Sequence, residues 1–158
     1  MRSNEIKLEV CVDTCEGLLQ AKESGANRVE LCLSLREGGL TPSTGFMEKA
    51  AKIGLPVHVM IRPKAGKFKY STEDMDIMLE DISVVRECGL AGVVFGAEGA
   101  DQALDVCVIR KLMNASFDLD STLHRVIDCV ANIPLAVELA IDLGFDRILT
   151  SGGAIEAE

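Results

Sequence analysis

Four stretches decide the fold: Gly25-Ala26-Asn27-Arg28-Val29-Glu30-Leu31, Gly54-Leu55-Pro56-Val57-His58-Val59-Met60, Gly89-Leu90-Ala91-Gly92-Val93-Val94-Phe95 and Gly144-Phe145-Asp146-Arg147-Ile148-Leu149-Thr150. In each, a glycine supplies the left-handed residue that stops a helix, and a β-branched run a few residues later starts a strand. The first three glycines are 29 residues (25 to 54) and 35 residues (54 to 89) apart, which suits a repeated βα unit.

The intervening helices are legible. From Ser71, the positions Met75, Met78, Leu79, Ile82 and Val85 form one apolar stripe at helical period. Ser71 and Asp74 make a capping pair at its start, and Cys88-Gly89 closes it. Further helices are expected over Thr14 to Ser24, Thr44 to Ile53, Asp105 to Met113 and Pro134 to Leu143, the last with proline in a first turn that tolerates it. Six strands remain: Leu8 to Val12, Arg28 to Leu33, Val57 to Ile61, Gly92 to Phe95, Ser121 to His124 and Arg147 to Thr150.

Alternation of strand and helix makes this an α/β chain with a parallel sheet, either doubly wound or closed as a barrel. The strand faces separate the two. Glu9, Cys11 and Asp13 share one face of the first strand, Glu30 and Cys32 one face of the second, and His58, Met60 and Arg62 one face of the third. The opposite faces carry Val10, Val12, Val29, Leu31, Leu33, Val57, Val59 and Ile61. Helices on both sides of a doubly wound sheet would bury that charge at high cost, whereas a TIM-type barrel turns it toward a lumen and mouth. The expectation is a single domain over residues 1–158, a parallel (β/α)8 TIM-type barrel here incomplete, with about six βα units.

Composition narrows the partners. Sixteen Lys and Arg against 25 Asp and Glu give a net charge of −9, which repels a phosphate backbone or an anionic lipid surface. No nucleic-acid or membrane partner is therefore expected. Met1 to Lys7 has no apolar signal core, and no later stretch has the roughly 18 uninterrupted apolar residues of a membrane span. A cytoplasmic location follows as an expectation. Cys11, Cys15, Cys32, Cys88, Cys107 and Cys129 are spread among apolar segments and include no Cys-x-x-Cys pair, so reduced thiols are expected rather than a disulfide scaffold.

Taken in order, Glu9-Val10-Cys11-Val12-Asp13, Arg28-Val29-Glu30-Leu31-Cys32, Glu37-Gly38-Gly39-Leu40-Thr41-Pro42-Ser43, Met60-Ile61-Arg62-Pro63, Tyr70-Ser71, His124-Arg125 with Asp128, and Leu149-Thr150-Ser151-Gly152 resemble the CutC family of copper-homeostasis proteins. The resemblance runs through nearly the whole chain and implies an eight-stranded β/α barrel, of which the seventh and eighth strands have no counterpart here. A complete barrel takes about 250 residues, so truncation after the sixth strand is expected. Two open edges, at the first and sixth strands, would then favour self-association into a homo-oligomer. The chain also departs from the family after Arg62, where Pro63-Lys64-Ala65-Gly66-Lys67 replaces the usual Pro-Arg-Gly-Gly-Asp, and after His124, where Val126-Ile127 replaces Ala-Phe.

The resemblance implicates Cys11 and Cys32 in binding copper, as Cu(I). Both stand in a Glu-x-Cys frame on adjacent strands, about 4.8 Å apart if the frames lie side by side, and soft thiolates suit Cu(I). The alternative is that both merely fill the lumen. Cys15 is expected in helix core. His124, near a strand end, is the acid–base or ligand candidate because imidazole titrates near neutrality, and a satisfied core histidine is its alternative. His58, nearer the start of its strand, is expected to be buried and structural. Arg62 sits where barrels present catalytic groups and can hold a small anion, with an ion pair to Glu9, Glu30 or Asp13 as the alternative. Glu37-Gly38-Gly39 and Ser151-Gly152-Gly153 can bring backbone amides near an anion, or can be plain turns.

Three functional readings stand. The first is an intracellular Cu(I)-binding protein of copper homeostasis using Cys11 and Cys32. The second is a small-molecule enzyme whose Glu9, Glu30, Arg62, His124 and Asp128 converge on the barrel mouth. The third is a fragment without function of its own.

Overall fold

The computed structural model describes residues 6–155. Six strands alternate with helices: β1 (Glu9–Val12), β2 (Arg28–Leu31), β3 (Val57–Met60), β4 (Gly92–Phe95), β5 (Asp120–Leu123) and β6 (Arg147–Ile148). All are parallel and lie in sequence order in one sheet, which curls into an incomplete β/α barrel. Among the described residues β1 and β6 each have one strand neighbour, so the sheet keeps two free edges. The helices are α1 (Cys15–Glu23), α2 (Thr44–Ala50), α3 (Thr72–Glu87), α4 (Val106–Ala115) and α5 (Ile133–Leu143).

Local chemistry places these elements. The Ser71 hydroxyl accepts from the Asp74 N–H while the Asp74 carboxylate accepts from the Ser71 N–H, a complete capping box on α3. Thr14, Ser43, Asp105 and Asn132 cap the other four helices one-sidedly, each side chain accepting a backbone N–H of the first turn. Gly25 (φ +84°) and Gly144 (φ +89°) take the left-handed conformation that ends α1 and α5 and turns the chain back into a strand.

The strand faces divide as their alternation requires. Val29, Leu31, Val57, Val59, Ile61, Val93, Phe95 and Leu123 point outward and pack with Leu18, Met47, Met78, Ile82, Ile109, Leu112 and Ala140 into one continuous core. Each large aliphatic side chain buried there stabilises the fold by about 1.5–3 kcal/mol. Cys32, Met60 and Val94 form a small separate cluster on the lumen side, beside the buried polar residues Glu30, His58, Thr122 and His124.

Several expectations shift. Gly92 to Phe95 is unchanged, but the other five strands are displaced or shortened by one or two residues at an end, where pairing stops before the β-favouring sequence does. Three 3₁₀ turns, Leu35–Glu37, Ala100–Gln102 and Arg125–Cys129, were not expected, being too short to show a period. Cys15 is exposed on the first residue of α1 rather than in helix core, because its spacing from Cys11 crosses from a strand into a helix. Leu33, assigned to the apolar face, lies beyond β2 and is 46% exposed.

Candidate functional site at the strand ends

The β1–β2 register determines what the two Glu-x-Cys frames do. Glu9 stands opposite Arg28 and Cys11 opposite Glu30, so the frames are staggered by two residues instead of lying side by side. Glu9 is consumed in an ion pair with Arg28 near the amino end of the sheet. It does not reach the mouth. Glu30, 4% exposed, instead lies between the two thiols: Cys11 Sγ and Cys32 Sγ each donate to Glu30 Oε1 at 3.6 Å.

That arrangement keeps both cysteines protonated. Cys11 is exposed as a residue, but protein packed about its sulfur and the neighbouring Glu30 charge push the thiol up to about 12. Cys32 is wholly buried and pushed up further, first by burial and then by Glu30 and Cys11. Burial also raises the Glu30 carboxyl, helped by Glu9 and opposed by the two thiol donors. Gly39 (φ +88°) closes over Cys32, and a β-carbon there would lie 3.1 Å from its sulfur.

Arg62 follows β3 and is 4% exposed. Its Nη1 donates to Glu37 O (2.7 Å) and Gly39 O (3.0 Å), its Nη2 to Gly66 O (2.8 Å), and its guanidinium lies 4.9 Å from the Phe68 ring centre. The ion pair expected with Glu9, Glu30 or Asp13 does not form: Glu9 is taken by Arg28, Glu30 by the thiols, and Asp13 accepts the Leu35 N–H. The Glu37-Gly38-Gly39 loop therefore offers carbonyls to Arg62, while its Gly38 and Gly39 amides donate back to Leu35 O and Ser34 O.

His124 caps the 3₁₀ turn Arg125–Cys129 through Nδ1, which accepts the Val126 N–H at 3.2 Å. That bond assigns the ring proton to Nε2, which is buried without a partner among the described residues. Its ring packs against Phe68 with the planes tilted by 44° and the centroids 4.4 Å apart. Burial, with Arg62 adding, lowers its pKa to about 3, so the imidazole is a neutral donor near neutral pH. His58 is buried low in the lumen, lowered to about 4 by burial and by Arg147, and 3.6 Å from Asp120, in keeping with a structural place.

Asp128 accepts from Thr150 Oγ1, the Ser151 and Gly153 N–H groups, Ser151 Oγ and Arg125 Nε. Burial alone would raise its carboxyl, but these donors outweigh it and hold it well below the ordinary carboxylate range. The Ser151-Gly152-Gly153 loop does cradle an anion, and the anion is the chain's own Asp128.

Cys11, Glu30, Arg62, His124 and Asp128 thus line one cavity of about 540 Å³ at the carboxyl ends of the strands, with Met60, Phe68 and Leu149 among its apolar walls. Glu9 and Cys32 lie outside that lining. Phe68, which packs on both Arg62 and His124, was missed; its signal was an aromatic stranded in the loop Lys67-Phe68-Lys69. Among the described residues, no group of three or more His, Cys, Asp or Glu side chains is set to hold a metal, and no helix is long and apolar enough to cross a membrane.

Residues 6–158 match the sequence pattern described as the CutC family. A CutC family protein of Agrobacterium fabrum is 48% identical over 157 residues, covering 99% of this chain and 62% of the relative. One of Caulobacter vibrioides is 50% identical, covering 99% and 64%. The chain therefore spans a little under two thirds of the length of these relatives. The crystal structure of a Streptococcus agalactiae protein, provisionally described as a copper homeostasis protein CutC, superposes with a TM-score of 0.89 at 31% identity over 96% of this chain and 75% of that one. The dihydropteroate synthase of Yersinia pestis, at 19% identity and a TM-score of 0.59, shares the fold alone. On the ordered match of its sequence and the agreement of its fold, the chain belongs to the CutC family.

Proposed function

We propose that the chain serves copper homeostasis in the cytoplasm by binding Cu(I) through Cys11 and Cys32. The observation that carries this reading is the placement of both sulfurs on a single carboxylate oxygen. Each is 3.6 Å from Glu30 Oε1, so they are no more than twice that distance apart, and rotation of the two side chains can bring them onto one ion. Two thiolates form a soft donor set suited to Cu(I), and the lack of a three-residue donor group among the described residues is no obstacle to an ion that accepts two-coordination. Family membership and the description of the Streptococcus agalactiae relative support the copper-homeostasis role.

The thiols are protonated before the metal arrives, so binding has to displace their protons. Glu30 holds both S–H groups in place until then. The enzyme reading is the weaker, because Glu9 is bound to Arg28, Asp128 is bound to its own loop, and His124 is neutral and caps a turn. Titration of the reduced chain against a competing Cu(I) chelator tests the proposal. The expected result is about one Cu(I) per chain and loss of that binding in the Cys11→Ser, Cys32→Ser double variant; unchanged affinity in the double variant would overturn the ligand assignment.

A further inference from the structure

The mouth cavity is far larger than a two-thiol ion site requires, and Cys32 does not line it. Its walls combine a cation, unused donors and apolar surface. Arg62 is buried there with no carboxylate partner among the described residues, since its terminal nitrogens meet only the carbonyls of Glu37, Gly39 and Gly66. The other arginine of the lining, Arg125, is already matched with Asp128. Arg62 Nε and His124 Nε2 are both buried without an acceptor, and both side chains pack against the half-buried Phe68. A buried donor left unpaired costs on the order of 1–3 kcal/mol, so a site that keeps two of them gains by receiving an acceptor.

We propose that this cavity binds a small organic carboxylate with an apolar body. Its carboxylate is received by Arg62 and by the neutral His124 N–H, and its body lies against Met60, Phe68, Leu35 and Leu149. The charge selects the acid over its neutral analogues, because the guanidinium is the mouth's one unmatched cation among the described residues. The apolar walls select an organic acid over a bare anion. Cys11 is part of the wall, but the carboxylate is received by no thiol, so the proposal does not rest on copper binding.

Calorimetry on the reduced, metal-free chain tests it with four probes: benzoate, benzamide, acetate and inorganic phosphate. Benzoate is expected to saturate and to bind at least about tenfold more tightly than the other three. Arg62→Gln should weaken benzoate by about tenfold or more. Equal binding of benzamide, tighter binding of phosphate, no saturation by benzoate, or full retention in Arg62→Gln would each overturn the proposal. If Arg62→Gln does not unfold cooperatively, the benzoate–benzamide contrast in the parent chain decides it, and Phe68→Ala, which removes an apolar wall, should weaken benzoate more than acetate.

Discussion

Cys11 stands directly opposite Glu30 in the β1–β2 ladder, and Cys32 lies two residues farther along the same lumen face. With a rise of about 3.3 Å per residue and a strand spacing of about 4.8 Å, the two cysteine α-carbons are roughly 8 Å apart. A disulfide tolerates only about 7 Å. The pair can share an ion through its flexible side chains but cannot oxidise to each other without sliding one strand past the next. Treatment of the folded chain with a thiol oxidant should therefore yield no Cys11–Cys32 cystine peptide by mass mapping. Recovery of that peptide from folded monomer would mean that the register slips.

Stability should fall as the pH drops from 7 to 5. His58 and His124 have folded pKa values of about 4 and about 3, against about 6.5 in an unfolded chain. Below about pH 6.5 the unfolded state binds more protons than the folded one, so acid favours unfolding, and the stability is regained as the pH rises past the unfolded value. For His58 the full effect, reached only below about pH 4, is on the order of 3 kcal/mol. Glu30, with its carboxyl raised, acts in the opposite sense and softens the slope. Denaturant midpoints at pH 7, 6 and 5 measure the trend. A midpoint that holds steady, or a slope unchanged in His58→Gln, would contradict the burial of a neutral imidazole.

Gly96 matters for the mouth through space and not through backbone freedom. A β-carbon there would lie 2.6 Å from Val126 Cγ1 and 2.9 Å from His124 Cε1 and Nδ1. Gly96→Ala should cost about 1–3 kcal/mol by overpacking and should move the His124 ring off the Val126 N–H. Thermal unfolding together with the imidazole NMR signals of His124 checks both effects. An alanine variant as stable as the parent, with His124 signals unmoved, would show that the ring has more room than this packing allows.

The period-two alternation of Val29, Leu31, Val57 and Val59 against Glu30, His58 and Met60 revealed which face of each strand meets the helices, and with it the partial barrel. Glycines, capping residues and the α3 stripe were legible because each acts within one turn of the chain. The stagger of Cys11 against Cys32 was not, since register depends on how two strands twist against each other and leaves no mark in either alone. Arg62 posed the same difficulty. Its position at the end of β3 was readable, but its carbonyl partners come from three loop residues, Glu37, Gly39 and Gly66, whose conformations no periodicity encodes. Asp128 lines the mouth, as its place after β5 suggested, but its work as the anchor of the loop after β6 was not legible, because it is set by long-range contacts with Thr150, Ser151 and Gly153.

The most direct test of the copper assignment is X-ray absorption at the copper edge on the chain loaded with one equivalent of Cu(I). Two sulfur neighbours are predicted, both lost in the Cys11→Ser, Cys32→Ser variant. A first shell of nitrogen and oxygen alone, or a sulfur shell that persists in that variant, would contradict the assignment of these two thiols as the ligands.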